Sequence, residues 1–492
     1  MFSRRAFPLT IDSADFQEAN GMDDRRRPFH ESAANRYCRL FPPSPVPADL
    51  GCYCNALRTL GEAMIDDGSR VSEERPEILM DCGYTYFGQL VAHDLTKDVS
   101  SLEETWQREP EELENKQTPR LDLNVLYGNG PEHSSELYED DGCRLRLGAR
   151  DAKSFDICVG RDGERILADD RSAENLILRQ MTTVFCRLHN FAVTQLQPQF
   201  RDDASLFERA QRQTRWQFQH LIVRDYLPTV LDRDVYKKIF VEARPTMEWE
   251  TFSMPIEFSA AAMRFGHAMV RPNYHFSFGH EMRLPKLFGR MPDRGSISEE
   301  LKINWGFFFQ GAGEASAVVA RPIDTRLAQP FQELPVDLIG APAATCPHLG
   351  VVEAPSQLAV RTLLRGVALK LPSGQTVAQA FGEGVLRESG ITQNSAGRET
   401  RQGRIIREAG LERETPLWYY ILKESEVRNN GNRLGPVGSH IVAETISAAL
   451  RNDPGSCMNR SNHDEFPPVW KFPKGERRIH GLTELFRLAP LL

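Results

Sequence analysis

The sequence predicts a mainly α protein, a single large helical domain with long loops and little β structure. Three observations lead there. Apolar residues recur at helical spacing in segments spread from about residue 78 to about residue 450, no stretch repeats another at a fixed period, and no clean linker divides the chain. With 492 residues the chain is long enough to bury a large core. Hydrophobic residues at 40%, charged residues at 26% and a net charge of −8 are those of a globular protein and argue against nucleic acid as a partner. Eighteen consecutive apolar residues occur nowhere, so no membrane-spanning helix is expected. The start, Met1 to Pro8 followed by Asp12 and Asp15, lacks the apolar run of a secretory signal. The expected compartment is therefore the cytoplasm, or the exterior by an unconventional route. Nine cysteines scattered from Cys38 to Cys457 without paired C-x-x-C spacing read as reduced thiols.

Taken in order, residues 1–75 read as an irregular arm packed on the core, stiffest at Pro42-Pro43-Ser44-Pro45-Val46-Pro47, with the domain proper at 76–492. The first clear helix contains Tyr86 to Thr96. Gln89 and His93, four apart, share one of its faces, while Asp94 is rotated about 100° away. An imidazole beside an amide suits proton handling, and a carboxylate on the next face suits a hard cation; an ordinary pair of structural residues fits as well. Lys97 to Lys116 is acidic and reads as a solvated face. In the Thr118 to Gly128 stretch, an extended backbone would turn Thr118, Asp122 and Asn124 to one side. With the carbonyl of Arg120 and a carboxylate such as Asp94 they make an oxygen set of the kind calcium takes. The other reading is an Asx-type turn before a hydrophobic strand.

Residues 129–168 read as surface loops. Asp169 to Asn175 then opens a long helix through about Leu196, with Ile177, Val184, Phe185, Leu188 and Ala192 as its apolar stripe. Arg171 stands outside the first turn, its side chain free to enter a cavity or to remain at the surface. A second long helix bears Trp216, His220, Val223 and Tyr226, with His220 in the core. Pro255 to Arg271 reads as a short helix entered through Pro255 and stopped by Pro272. Ala260 and Gly266 beside His267 leave room for a flat group near the imidazole, although a core histidine fits too. Leu358 to Leu371 is amphipathic and bears Arg361, Thr362 and Arg365. Residues 393–413 read as a charged loop, and the last clear helix lies near Gly438 to Arg451.

Gln89/His93/Asp94, Arg171/Glu174 and Arg264/His267, in this order and context, resemble the animal-type haem peroxidases of the peroxidase–cyclooxygenase superfamily. The likeness runs from about residue 80 to 450 and includes the Thr118 to Gly128 loop, Arg187-Leu188-His189-Asn190, Arg224 to Pro228 and Leu434 to Gly438. The wording at Leu371-Pro372-Ser373-Gly374-Gln375 is similar to the bacterial branch. The resemblance implies a b-type haem with His267 as the proximal iron ligand and His93 as the distal acid–base. Arg171 would stabilise the departing oxygen, and Gln89 would orient peroxide, water or halide. Hydrogen peroxide would leave a ferryl, porphyrin-radical state that oxidises small organic donors or halides. Arg264 and Arg365 would clamp the propionates, and Asp94, Thr118, the Arg120 carbonyl, Asp122 and Asn124 would hold calcium.

Four departures qualify what the resemblance implies. Glu174 matches one of the family's two ester-forming carboxylates, but the other position is Ala92, so at most one ester is expected. Asn175 stands where some members form a sulfonium link through Met. Thr362 stands where an Asn usually accepts from the proximal histidine, as a weaker acceptor. The fatty-acid dioxygenase branch has a radical-forming Tyr three residues before the proximal histidine, and here that residue is Arg264. A haem-dependent fatty-acid dioxygenase and a low-turnover haem-bearing binding or adhesion protein are the alternatives.

Overall fold

The computed structural model describes residues 35–66, 79–100, 102–148, 155–158, 165–288, 297, 299–334, 356–459 and 466–492. Helices dominate: α1 (Leu50–Ala63), α2 (Gly83–Leu95), α3 (Leu176–Leu196), α4 (Asp203–Leu221), α5 (Leu358–Ala368), α6 (Arg401–Glu408), α7 (Leu417–Asn429) and α8 (Pro436–Arg451), with shorter turns between them. The strands among the described residues form three two-stranded pairs. In the first, β1 (Tyr37–Cys38) lies parallel to β2 (Met254–Pro255). The mainly α expectation holds. Among the described residues no helix is long and apolar enough to cross a membrane.

The centre is built from α2, α3 and α4. Asn175 caps α3 by accepting the Leu178 N–H at 2.8 Å, and Asp202 caps α4 by accepting that of Ser205 at 2.8 Å. Leu176, Ile177, Met181, Phe185 and Leu188 of α3 are wholly buried. They lie in the same core as Phe87 of α2, whose ring meets Phe185, Phe218 and Tyr226 at centroid distances of 6.2, 5.7 and 5.5 Å. A π-helical turn, Ile222–Tyr226, follows α4 and brings the Tyr226 hydroxyl against Gly88, where any Cβ would collide with it. Glycine at position 88 is thus what lets this tyrosine approach α2. His220 is buried, as expected of a core residue. His189 is a satisfied core histidine between the Tyr127 hydroxyl (3.1 Å) and the Cys143 carbonyl (2.8 Å).

The local structure departs from the sequence reading in several places. The arm is not wholly irregular, because α1 lies inside it. Asp49 caps that helix through the Cys52 N–H at 2.8 Å, and α1 packs on α5 and α6. The charged 393–413 stretch contains α6, whose Gln402 and Ile406 are buried, and α7 was not anticipated. Pro255 to Arg271 is not one helix. Ile256–Ala260 ends at Ala261 (φ −131°, ψ −69°), a 3₁₀ turn spans Ala262–Phe265, and Gly266–Met269 forms one last helical turn. The expectation that Ala260 shares a helical face with His267 therefore fails.

Candidate active site

His93 and His267 come from separate segments, α2 and the turn Gly266–Met269, and line the same cavity of about 430 Å³. Gln89, Arg171, Glu174, Arg264, Thr362 and Arg365 also reach it, so the fold gathers every residue expected to contact the haem. Both imidazoles are pushed down to about 3. Burial is the main cause in each, followed by the charge of Arg171 for His93 and of Arg264 for His267. Each is therefore neutral near pH 7, the form that accepts a proton or ligates a metal.

Around His93 the polar groups interlock. The Gln89 amide donates to Glu174 Oε2 at 2.9 Å and accepts from the Asn175 amide at 3.1 Å, so Asn175 both caps α3 and holds Gln89. His93 Nε2 lies 3.7 Å from the same Glu174 oxygen. Burial, more than any other cause, pushes the Glu174 carboxyl up to about 7 against the opposing charge of Arg171. Arg171 is less free than its position in the sequence suggested. It donates to both carboxylate oxygens of Asp169 (3.0 and 2.7 Å) and to the carbonyls of Thr96 (2.8 Å) and His93 (3.0 Å), committing four of its five N–H groups. A cation on the last carbonyls of α2 also complements the helix dipole. Burial opposes ionisation of Asp169, yet the hydrogen bonds and charge of Arg171 and the charge of Lys97 hold its carboxyl below the usual range. Asp169 was missed as a site residue because its role shows only through its partner.

A second group of lining residues is cationic. Arg361 and Arg365 lie close enough to Arg264 to oppose its charge, and Arg365 likewise opposes that of Arg361, with Asp98 as the nearby carboxylate. Arg264 is lowered to about 10, first by burial and then by Arg365. Arg365 contacts Asp98, and Arg264 donates to the Ser259 carbonyl at 3.1 Å. Three guanidinium groups against one carboxylate leave a positive field suited to an anionic ligand edge. Asp98 too was missed; it lies past the end of α2, on extended chain.

The cavity fits a haem on two further observations. Nδ1 of His267 is buried without a hydrogen-bond partner, and a Cβ at Gly266 would meet nothing within 4 Å, leaving open space beside that imidazole. Thr362 lines the cavity, and its hydroxyl donates to the Leu358 carbonyl at 2.9 Å, the back-bond typical of a helical threonine; this leaves its lone pairs to accept, although His267 Nδ1 is not bonded to it in this structure.

The expected calcium set is only partly assembled by local bonding. Thr118 Oγ1 donates to Asp122 at 2.9 Å and accepts from the Asn124 amide at 3.2 Å, while the Asn124 N–H bonds Asp122 at 3.2 Å in an Asx turn. The segment is bent and passes into a helical turn, Asn124–Tyr127, in place of the extended loop and strand expected. Leu123, at φ 60°, occupies the left-handed region, rare for a branched side chain, and from there its N–H reaches Asp94 at 3.0 Å. The other Asp94 oxygen is buried without a partner. Burial raises Asp94 well above the usual carboxylate range and Asp122 adds to the rise; Asp122 is itself raised chiefly by burial. The charge of Arg215, which pairs with Asp453 at 2.9 Å, opposes both shifts. Among the described residues no three His, Cys, Asp or Glu side chains gather as a metal cluster, so a cation here would rely on hydroxyl, amide and carbonyl oxygens as well.

The animal haem peroxidase family model matches residues 91–341. The Peroxidasin homolog pxn-2 of Caenorhabditis elegans is 28% identical over 199 residues, 36% of this chain and 15% of that protein. A peroxidase-like protein of Margaritifera margaritifera is 29% identical over 187 residues, 35% of this chain and 23% of that protein. The match thus spans less than a quarter of either relative's length. Among solved structures, Peroxidase A from Dictyostelium discoideum aligns over 86% of this chain and 89% of its own, with TM-score 0.56 and 16% identity. Fatty acid alpha-dioxygenase from Arabidopsis thaliana aligns over 91% and 75%, with TM-score 0.58 and 11% identity. At these identities the likeness is one of fold.

The geometry at Glu174 carries a stability consequence. Its ordinary value is 4.5 and the folded value about 7, so the folded state disfavours the carboxylate. Stability from this group is complete below about pH 4.5 and is lost as pH rises through 7. Glu174→Gln, which keeps the size and the hydrogen bond to Gln89, is expected to gain urea resistance over wild type across that window, with a constant gain above it. A gain that shrinks as pH rises would contradict the assignment.

Proposed function

The chain belongs to the animal haem peroxidase family, and from that premise we propose that it is a hydrogen-peroxide-dependent haem peroxidase acting on small organic donors or halides. The observation that carries this reading is the pair of half-buried, neutral imidazoles, His93 and His267, contributed by separate segments to one cavity with arginines on its wall. His267 would ligate the haem iron, and Arg264 and Arg365, with Arg361 beside them, would meet the propionates. When bound, the haem would supply the redox chemistry by which peroxide is reduced at the expense of donors.

The remaining work belongs to the chain. His93 accepts the proton of incoming peroxide on Nε2, the nitrogen nearer Glu174, and returns it to the departing oxygen as water forms. Arg171, rigidly tied to Asp169 and to the end of α2, presents fixed positive charge where negative charge develops. Its rigidity suits this role, since a preorganised charge does not need to reorient during the reaction. Gln89, held from both sides, fixes the Glu174 carboxylate beside His93. Glu174 is also the residue that would form a single haem ester, the second position being Ala92. Arg264, in place of a radical-forming tyrosine, counts against the fatty-acid dioxygenase alternative.

His93→Ala is expected to retain haem and to slow reduction of peroxide by about 100- to 10,000-fold in stopped-flow absorption. An unchanged rate would sink the catalytic reading and leave a haem-binding protein.

We also propose that calcium occupies the Asp94 site, supported by the buried, unpartnered Asp94 oxygen. Elemental analysis of the purified protein should find one calcium per chain. Strong chelation should remove it and lower the melting temperature, and Asp94→Asn should abolish the response. A calcium-free protein with wild-type stability would show that the Asx turn and Arg215 suffice.

A further inference from the structure

A second cavity, of about 550 Å³, lies next to the first, and Thr362 lines both. Its wall is aromatic and aliphatic, including Tyr53, Trp106, Leu363, Val367 and Trp418, and its lip is the Pro45–Val46 part of the arm, with Val46 58% exposed. Among the described residues, Lys370 and Glu414 are the charged ones in the lining, and the Lys370 ammonium is already paired with Glu109. Trp418 is 2% exposed, so its ring belongs to the interior wall. Its centroid lies 6.4 Å from that of His267, at 75° to it, and its indole N–H bonds the Arg264 carbonyl at 3.3 Å. One indole therefore lines the second cavity and also makes an edge contact with the imidazole assigned to the iron.

We propose that this second cavity seats a neutral aromatic donor, a hydrophobic phenol, and that Trp418 relays the donor's electron to the haem cavity. The proposal rests on the peroxidase reading for its oxidant, hydrogen peroxide. An aromatic wall with its one ammonium already engaged favours a flat neutral ring over a carboxylate ligand such as a fatty acid. Electron transfer weakens steeply with distance, and a ring beside His267 offers a short step. The accounting closes as follows: one peroxide and two phenols give two waters and two phenoxyl radicals, each phenol losing one electron and its hydroxyl proton. Trp418 is oxidised and re-reduced once per phenol. Its N–H faces a carbonyl, which is not a base, so the oxidised indole keeps its proton; the phenol's proton leaves to water at the cavity mouth.

The test uses the haem-loaded full chain with 2-naphthol as probe. Equilibrium dialysis should show saturable binding, weakened at least about tenfold, or roughly 1.4 kcal/mol, by Gly366→Phe. A Cβ at Gly366 meets only Leu371 Cδ1, at 3.5 Å, so the new ring has room to enter the cavity, and an unchanged Soret band verifies the fold. Freeze-quench electron paramagnetic resonance after one equivalent of peroxide should reveal a protonated indole radical, absent in Trp418→Phe with its Soret band unchanged. Naphthol affinity indifferent to Gly366→Phe, displacement of naphthol by palmitate, or the same radical in Trp418→Phe would overturn the proposal. Wild-type protein that fails to oxidise iodide would bring down the peroxidase reading and the relay with it. The dialysis result needs no turnover, so the two failures are told apart.

Discussion

The fixed ion pair of Arg171 and Asp169 is the constraint on which the site depends. Through it the turn before α3 is tied to the carbonyls at the end of α2, and these two elements carry Glu174 on one side and Gln89 and His93 on the other. Release of Arg171 would leave the buried Asp169 carboxylate to Lys97 and Gln117 and uncap α2, an outcome costlier than loss of an exposed pair. The same guanidinium helps keep His93 neutral. Position and charge in this part of the cavity thus follow from one interaction, which also acts alongside burial on protonation state.

Much of this was legible in the sequence because the information is local. Gln89 and His93 share a face by helical spacing alone, and the N-cap at Asn175 and the apolar stripe of α3 lie in adjacent letters. Long-range pairings were less visible. Asp98 meets Arg365 and Asp453 meets Arg215 across hundreds of residues, and neither partner announces the other. The break at Ala261 was hidden for another reason. Alanine favours helix, and only tertiary packing takes it out of the helical region there. In the arm, the prolines masked α1, although Asp49 offered a cap. At Thr362 the helix takes the hydroxyl proton and leaves the oxygen's lone pairs toward other groups.

The two cavities divide the site's chemistry. The first gathers titratable groups whose protonation is set by burial and by Arg171; the second is lined by rings and aliphatic chains, with charge confined to Lys370 and Glu414. Proton handling benefits from a polar, preorganised pocket, whereas a hydrophobic donor gains from leaving water. Thr362 and Trp418 stand between the two environments, so a donor and peroxide need not compete for one space.

The central claim is that His267 holds a haem in the first cavity. Absorption spectroscopy of the purified protein, with haem quantified as its pyridine complex, tests it directly in wild type and His267→Ala. The account predicts about one haem per chain and a ferric Soret band in the wild type, both lost or strongly reduced in the variant. A colourless wild type that ignores added haem, or a variant with an unaltered Soret band, would contradict it.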